Sequence, residues 1–261
     1  MTSHIAVERK GYISTVTLSR AEKGNALSGE MLSELEAIAC SFADDEQTRA
    51  VILRAEGDNF SYGMDLDDVT RSERPSLLLL RRQAELGARL IRAIGEIHQP
   101  TVCAVQGVAT GGGACIASAC DFRVAADNAR IGYGEVKLGM NLMWQALPLC
   151  VHLVGPARAK QLIMSGKLFT ADTLAQWGFL DEICAQDELD ARTLAWAEEY
   201  AALPPMAAQM IKRSINRVAG AMDVAIMHAD VDQWLLCVQS EDFDEAISAF
   251  KDRRGGEFTG N

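Results

Sequence analysis

Three glycines in a row, Gly111, Gly112 and Gly113, interrupt an otherwise apolar stretch between Thr101 and Glu135. Residues without a Cβ let the main chain come very close to a ligand. Placed before a helix, they also present N–H groups that suit an anion. The stretch ends at Glu135, in the small glycine-flanked segment Gly132-Tyr133-Gly134-Glu135. The chemistry on offer is a main-chain cradle for a developing negative charge, beside a carboxyl group that moves a proton.

Other chemistries are a poorer match. A dinucleotide fingerprint read from Gly111 would need glycine where Ile116 stands. No GK[ST] follows the glycines, and there is no GxSxG nucleophile elbow. His4, His98, His152 and His228 lack metal-ligand spacing, so no metal is expected. Cys115, beside the glycine turn, lacks an evident basic partner in sequence and reads as a small packing residue.

The elements that must position these groups follow from periodicity. Tyr12–Leu18 alternates like a half-exposed strand, and Arg49–Ala55 reads as a second strand. Between them, Ser28 is placed to cap a helix with Met31, Leu32, Leu35, Ile38 and Phe42 on one stripe. Gly57–Asp68 reads as a loop. A helix from Ser76 to His98 carries Leu79, Leu80, Leu86, Leu90, Ile91 and Ile94, and Pro100 ends it. Then come the strand Val102–Gln106, the glycine turn, the helix Ala114–Cys120 and the strand Phe122–Ala125. Alternating strands and helices predict an α/β fold with right-handed crossovers. Beyond Glu135 the pattern is helical: Pro156–Ser165, Ala171–Trp177, Asp187–Ala202, Pro205–Ala219, Asp223–Ser240 and Asp242–Lys251, with one brief strand in Phe179–Ile183. The tail DRRGGEFTGN reads as mobile.

The totals narrow the partners. A chain of 261 residues suits one large domain. A net charge of -11 argues against nucleic-acid binding, which needs a basic face. No apolar run approaches a membrane span. The N-terminus lacks a signal-peptide layout, and seven scattered cysteines without a CxxC pair suit a reducing cytoplasm.

Taken together, NALS (25–28), FSYGMDL (60–66), VATGGGACIASACDFRVAADNARIG (108–132), GEVKLGM (134–140), LVGPARAKQLIMSGK (153–167) and WGFLDEI (177–183) resemble the crotonase family of enoyl-CoA hydratases and isomerases. The match runs nearly end to end. The resemblance implies a spiral of ββα units over residues 1–195 and a helical region over 196–261 that builds trimers, often paired into hexamers. It implies an acyl-CoA thioester as substrate, with coenzyme A part of that substrate and no separate cofactor. The N–H groups of Met64 and Gly112 would hold the thioester oxygen as it becomes an enolate. Losing one such donor typically raises a barrier by about 2.7–4 kcal/mol. Glu135 falls where the family places a catalytic glutamate. Coenzyme contacts would come from Lys23, Ala26, Leu27, Ser61, Asp65, Leu66 and Gly111, with Phe250 and Lys251 reaching a neighbouring subunit's nucleotide.

Three positions depart from the pattern. Family hydratases carry a second glutamate two residues beyond the third glycine, where this chain has Cys115. Two carboxylates usually share the water that adds to a double bond, whereas one suffices to carry a proton between two carbons. Tyr133, Glu85 and Asp65 are candidates for a replacement acid. Asn141–Leu149 replaces a glycine-rich helix start, so Met143, Trp144 and Gln145 are expected to reshape the acyl pocket. Tyr62 is bulkier than the common alanine beside the oxyanion loop. Thioester hydrolysis, decarboxylation and a non-catalytic binding role stay open as alternatives.

Overall fold

The computed structural model describes residues 4–66 and 75–261. Six strands form the main sheet, in the order β1-β2-β3-β4-β6-β9. They are β1 (Ile5–Lys10), β2 (Ile13–Leu18), β3 (Ala50–Ala55), β4 (Thr101–Val105), β6 (Phe122–Ala126) and β9 (Glu182–Cys184). Only the β1–β2 pair is antiparallel; from β2 to β9 every neighbour is parallel. A second sheet joins β5 (Val108–Thr110), β7 (Arg130–Gly132) and β8 (Phe169–Thr170).

The sequence reading had no separate place for β1, β5, β7 and β8. All four are short or lie at a sheet edge, where alternation is too brief to register. β1 is exposed at five of its six positions, so only pairing with β2 makes it a strand.

The chain climbs between the two sheets in repeating units. β4 in the main sheet leads to β5 in the small one and then to α3 (Gly112–Ala119). β6 leads to β7 and then to α4 (Ala146–Met164). This is a spiral of ββα units, as the resemblance implies. α1 (Gly29–Ser41) and α2 (Leu77–Gly95) cover one face of the main sheet with Leu35, Leu90, Ile94 and their neighbours. α6 (Leu189–Ala201) covers the other face, packing Leu189, Ala197 and Ala201 on Ile52, Val102 and Ala104. Both faces of β4 are thereby buried, which is why it reads as a continuous apolar run. α6 is continuous across position 195.

Most expected helices form, with shifted ends. Ser28 and Ser76 accept from Met31 N–H and Leu79 N–H at 3.3 Å and cap α1 and α2. Leu79 itself is exposed; the buried stripe of α2 begins at Gly87. Asp67 and Asp68, at the end of the expected loop, lie outside the described residues. The glycine helix starts at Gly112 rather than Ala114. α4 begins at Ala146, earlier than expected, and is broken at Gly155 by a non-helical, positive-φ conformation of 76°/163°. α5 (Ala171–Trp177) and α7 (Pro205–Ala219) match. The span 223–240 is two helices, α8 (Asp223–Met227) and α9 (Asp230–Cys237), followed by α10 (Glu241–Asp252).

The tail, expected from sequence to be mobile, makes hydrogen bonds to the preceding helix. Thr259 and Gly260 N–H donate to the Asp242 carboxylate at 2.7 and 3.0 Å, and Arg254 forms a bidentate pair with Glu245. Both carboxylates lie on α10, so the tail folds back along that helix. Among the described residues no helix is long and apolar enough to cross a membrane.

One buried cation ties the layers together. Arg123 on β6 is 2% exposed. Its guanidinium donates to the carbonyls of Phe179 (2.6 Å) and Cys120 (2.7 Å) and to the Asp181 carboxylate (3.1 Å). Arg123→Ala strands these acceptors and is expected to cost about 3–5 kcal/mol. Urea unfolding measures it, and a loss below about 1 kcal/mol would show the network to be dispensable.

Candidate active site

The first loop is anchored by Asn25. Its backbone is left-handed, φ 52°, and its side chain is fully buried. The side-chain amide donates to Glu56 O and Asn59 O at 2.9 Å, and its oxygen accepts from Arg20 N–H. A short polar residue suits this because asparagine tolerates the left-handed region better than most. Ser61 Oγ then donates to Asn25 O at 2.8 Å and accepts from Gly63 N–H at 3.1 Å. Two loops far apart in sequence are thus fixed side by side.

Isolated parallel bridges continue this alignment, pairing Leu27 with Met64 and Ser61 with Ala109. Leu27 N–H donates to Gly63 O, and Asp65 N–H donates to Leu27 O. In such a bridge the intervening residue, Met64, turns its own N–H away from Leu27. Neither Met64 N–H nor Gly112 N–H donates to an acceptor among the described residues.

The glycine triplet makes the close approaches possible, each glycine against a different neighbour. A Cβ on Gly111, which has φ 52°, would stand 3.1 Å from Glu135 Oε1. One on Gly112 would stand 2.5 Å from the Trp144 ring. One on Gly113 would stand 2.7 Å from Ser61 O. From the facing loop, a Cβ on Gly63 would lie 3.0 Å from Gly112 N. The Gly63 and Gly112 main chains therefore meet with no side chain between them.

Glu135 opens a short 3-10 turn, Glu135–Leu138, directly after β7 and Tyr133. Glu135 as a residue is partly exposed, but its Oε2 is buried and has no hydrogen-bond partner. Neither Lys137 nor Arg130 pairs with it; Arg130 donates to the Asn128 and Ala129 carbonyls instead. Burial raises its pKa to about 7, slightly offset by a backbone hydrogen bond.

The groups around it are neutral. Burial, then the charge of Glu135, hold the Cys115 thiol well above its usual range. Burial also raises Tyr133, whose hydroxyl pairs with Ser118 Oγ at 2.6 Å. Burial pushes Cys150 up to about 12. The other two candidate acids are engaged elsewhere. Asp65 pairs with Arg20 at 2.8 Å, and Glu85 with Arg81 on the exposed side of α2.

The predicted coenzyme contacts divide into two groups. Ala26, Leu27, Ser61, Asp65 and Gly111 belong to the network just described, with Lys23 exposed at its edge and Leu66 half-buried. Leu27 and Ser61 are fully buried, so their side chains serve the scaffold. Tyr62 is half-exposed and lies over Gly24, beside Lys23. Phe250 and Lys251 are exposed on α10 and make no hydrogen bond or ion pair with these residues. Among the described residues no cluster of three or more His, Cys, Asp or Glu could hold a metal.

Sequence reasoning passed over Gly87, Arg20 and Asp230. Gly87 lies in the middle of α2, where a Cβ would fall 2.1 Å from the Trp144 ring. A glycine inside an otherwise strong helix is the signal that could have flagged it. Asp230, at the start of α9, accepts from Gln145 N–H at 2.8 Å.

A short-chain-enoyl-CoA hydratase from Clostridium acetobutylicum is 29% identical, covering 97% of this chain and 96% of its own. A crotonyl-CoA hydratase from Syntrophomonas wolfei is 28% identical over 98% of this chain and 97% of its own. The crystal structure of an enoyl-CoA hydratase/isomerase from Pseudoalteromonas atlantica superposes with a TM-score of 0.87, at 29% identity, covering 98% of this chain and all of that one. The enoyl-CoA hydratase/isomerase family model matches residues 8–261, and the chain belongs to that family.

Proposed function

We propose that this protein is an acyl-CoA enzyme acting on an unsaturated thioester, with Glu135 as its acid/base and the N–H groups of Met64 and Gly112 as donors to the thioester oxygen. The observation that carries the reading is the Glu135 carboxyl set against Gly111, with Oε2 buried and without a hydrogen-bond partner. When a proton leaves the carbon next to a thioester, negative charge moves onto the thioester oxygen. Main-chain donors suit that oxygen because they are rigid and do not titrate. A carboxyl with a pKa near 7 is divided between its two forms at neutral pH, so it can both take and return a proton.

The surroundings of Glu135 favour moving a double bond over adding water. Cys115 replaces the second carboxylate, and neither it nor Tyr133 ionises near neutral pH. In this reaction Glu135 takes the α-proton of a β,γ-unsaturated thioester, and the C–H electrons delocalise onto the thioester oxygen. The same carboxyl then delivers the proton to the γ-carbon, and the double bond settles between the α- and β-carbons. Lys23, Ala26, Leu27, Ser61, Asp65, Leu66 and Gly111 would line the coenzyme's path.

We also propose a homotrimer or a pair of trimers. In support, α7 has no buried residue and turns Met206, Met210, Ile211, Ile215 and Val218 outward. Its Lys212 points inward instead, to Asp121 at 2.6 Å. An apolar stripe of this size on the outside of a helix needs a cover. Phe250 and Lys251 would then approach a neighbouring subunit. Unpaired cysteines support a reducing, cytoplasmic setting.

Glu135→Gln is expected to lower kcat on a 3-enoyl thioester by about 10²–10⁴-fold, with acyl-CoA affinity changed less than about threefold. Retained turnover in the variant would reject the proton-transfer role. Because the ionised form takes the proton, kcat/KM for the wild type should rise with pH and level off above about 7. Stability moves the other way. The folded state keeps this proton to about 7 and the unfolded chain releases it near 4.5, so stability falls as pH rises between the two. Glu135→Gln removes that loss and should exceed the wild type by at most about 3 kcal/mol at pH 8, and by little at pH 4. Urea midpoints at both values test this, and parallel pH profiles would contradict the raised pKa. Replacing Ile211 and Ile215 together with glutamate should yield monomers by sedimentation; an unchanged assembly would place the interface elsewhere.

A further inference from the structure

Trp144 occupies a position that several parts of the chain combine to maintain. Its backbone is left-handed, φ 65°, and so is that of Gln145, φ 59°. Bulky residues rarely adopt this conformation, and strained residues of this kind cluster at functional sites. The strained pair is pinned by Gln145 N–H donating to the Asp230 carboxylate at 2.8 Å, and Asn141 Nδ2 donates to Asp230 O at 3.1 Å. Asp230 is half-buried to make this contact, and burial raises its pKa. Gly87 leaves α2 bare where the indole rests: a Cβ there would lie 2.1 Å from Nε1 and Cε2. The other edge of the ring, Cζ3 and Cη2, would be 2.5 and 2.6 Å from a Cβ on Gly112.

We propose that Trp144 is the wall that ends the acyl pocket and restricts the enzyme to short acyl groups. The inference rests on the acyl-CoA reading above. An acyl group whose thioester oxygen reaches Gly112 N–H begins within one residue of the indole edge. Against the neighbouring Gly111 sits the Glu135 carboxyl, with its Oε2 buried and without a partner, which marks the same turn as the reacting end of the pocket. Trp144 is only 8% exposed and its ring rests on α2 on its far side, so it cannot simply tilt away from a longer chain. Leu27 Cδ1 approaches Gly112 as well, at 3.1 Å from the same Cβ position, and closes the pocket beside the ring.

Titration calorimetry with butyryl-CoA and decanoyl-CoA tests this, because saturated thioesters report binding without turnover. The wild type should prefer butyryl-CoA by about tenfold or more. Trp144→Ala should bind decanoyl-CoA at least about tenfold more tightly than the wild type does. Trp144→Leu should shift the ratio in the same direction by less, and it serves if the alanine variant fails to fold. A wild type that binds both thioesters equally, or a folded variant with an unchanged ratio, overturns the assignment of Trp144 while leaving the acyl-CoA reading intact. A wild type that binds neither thioester removes the acyl-CoA reading, and this inference with it.

Discussion

A carboxyl group inside a protein, with no donor to satisfy it, is costly when ionised and shifts toward its neutral form. Burial moves Glu135 toward that condition: its Oε2 has no partner, and its pKa is raised to about 7 against a backbone hydrogen bond that lowers it. Nothing local to its own turn requires it. The condition comes from packing: Gly111 has no side chain to displace the carboxyl, Cys115 and Tyr133 offer only neutral groups, and Lys137 points elsewhere. A charged partner would lower the pKa and remove the balance between forms. The fold therefore keeps this carboxyl largely buried and away from any charged partner among the described residues, and much of the surrounding structure can be understood as maintaining that state.

The means is main-chain proximity. Gly63 and Gly113 let the 61–63 and 110–113 main chains approach within distances that a single methyl group would prevent, and Gly111 and Gly112 admit the Glu135 carboxyl and the Trp144 ring in the same way. Holding bare backbone in register needs support from outside it. Asn25 supplies much of that support through three hydrogen bonds to other main-chain groups, and Ser61 supplies the rest. The Arg20–Asp65 pair closes the same network, with Arg20 also donating to Ala26 O at 2.8 Å. Because these groups are buried, each unsatisfied partner would carry a desolvation penalty of about 1–3 kcal/mol. The loops are thus irregular in outline but rigid in fact.

The C-terminal helices follow a different logic. α10 lies against the turn that begins at Glu135: a Cβ on Gly139 would stand 2.9 Å from Phe243 Cα. The tail then folds back on α10 through Asp242 and Glu245. α7, in contrast, touches the core through polar groups, Lys212 and Asn216, and keeps its apolar stripe outside. This inverts the usual arrangement of an amphipathic surface helix.

Periodicity and punctuation in the sequence determined the long elements: the capped helices at Ser28 and Ser76, the buried strands, and an α/β order of strand and helix; the spiral was implied by the family resemblance. The close main-chain approach at the glycine triplet was legible because three residues without a Cβ in a row suit little else. The short strands of the small sheet were not, since three residues carry too little pattern and form only when a partner is supplied from far along the chain. The state of Glu135, the engagement of Asp65 with Arg20, and the use of Gly87 as a seat for Trp144 were decided by tertiary structure alone. Each depends on what lies across a gap of a few ångströms between residues distant in sequence. Burial, and with it the strength of every electrostatic effect at the site, is a property of that neighbourhood and not of the residue.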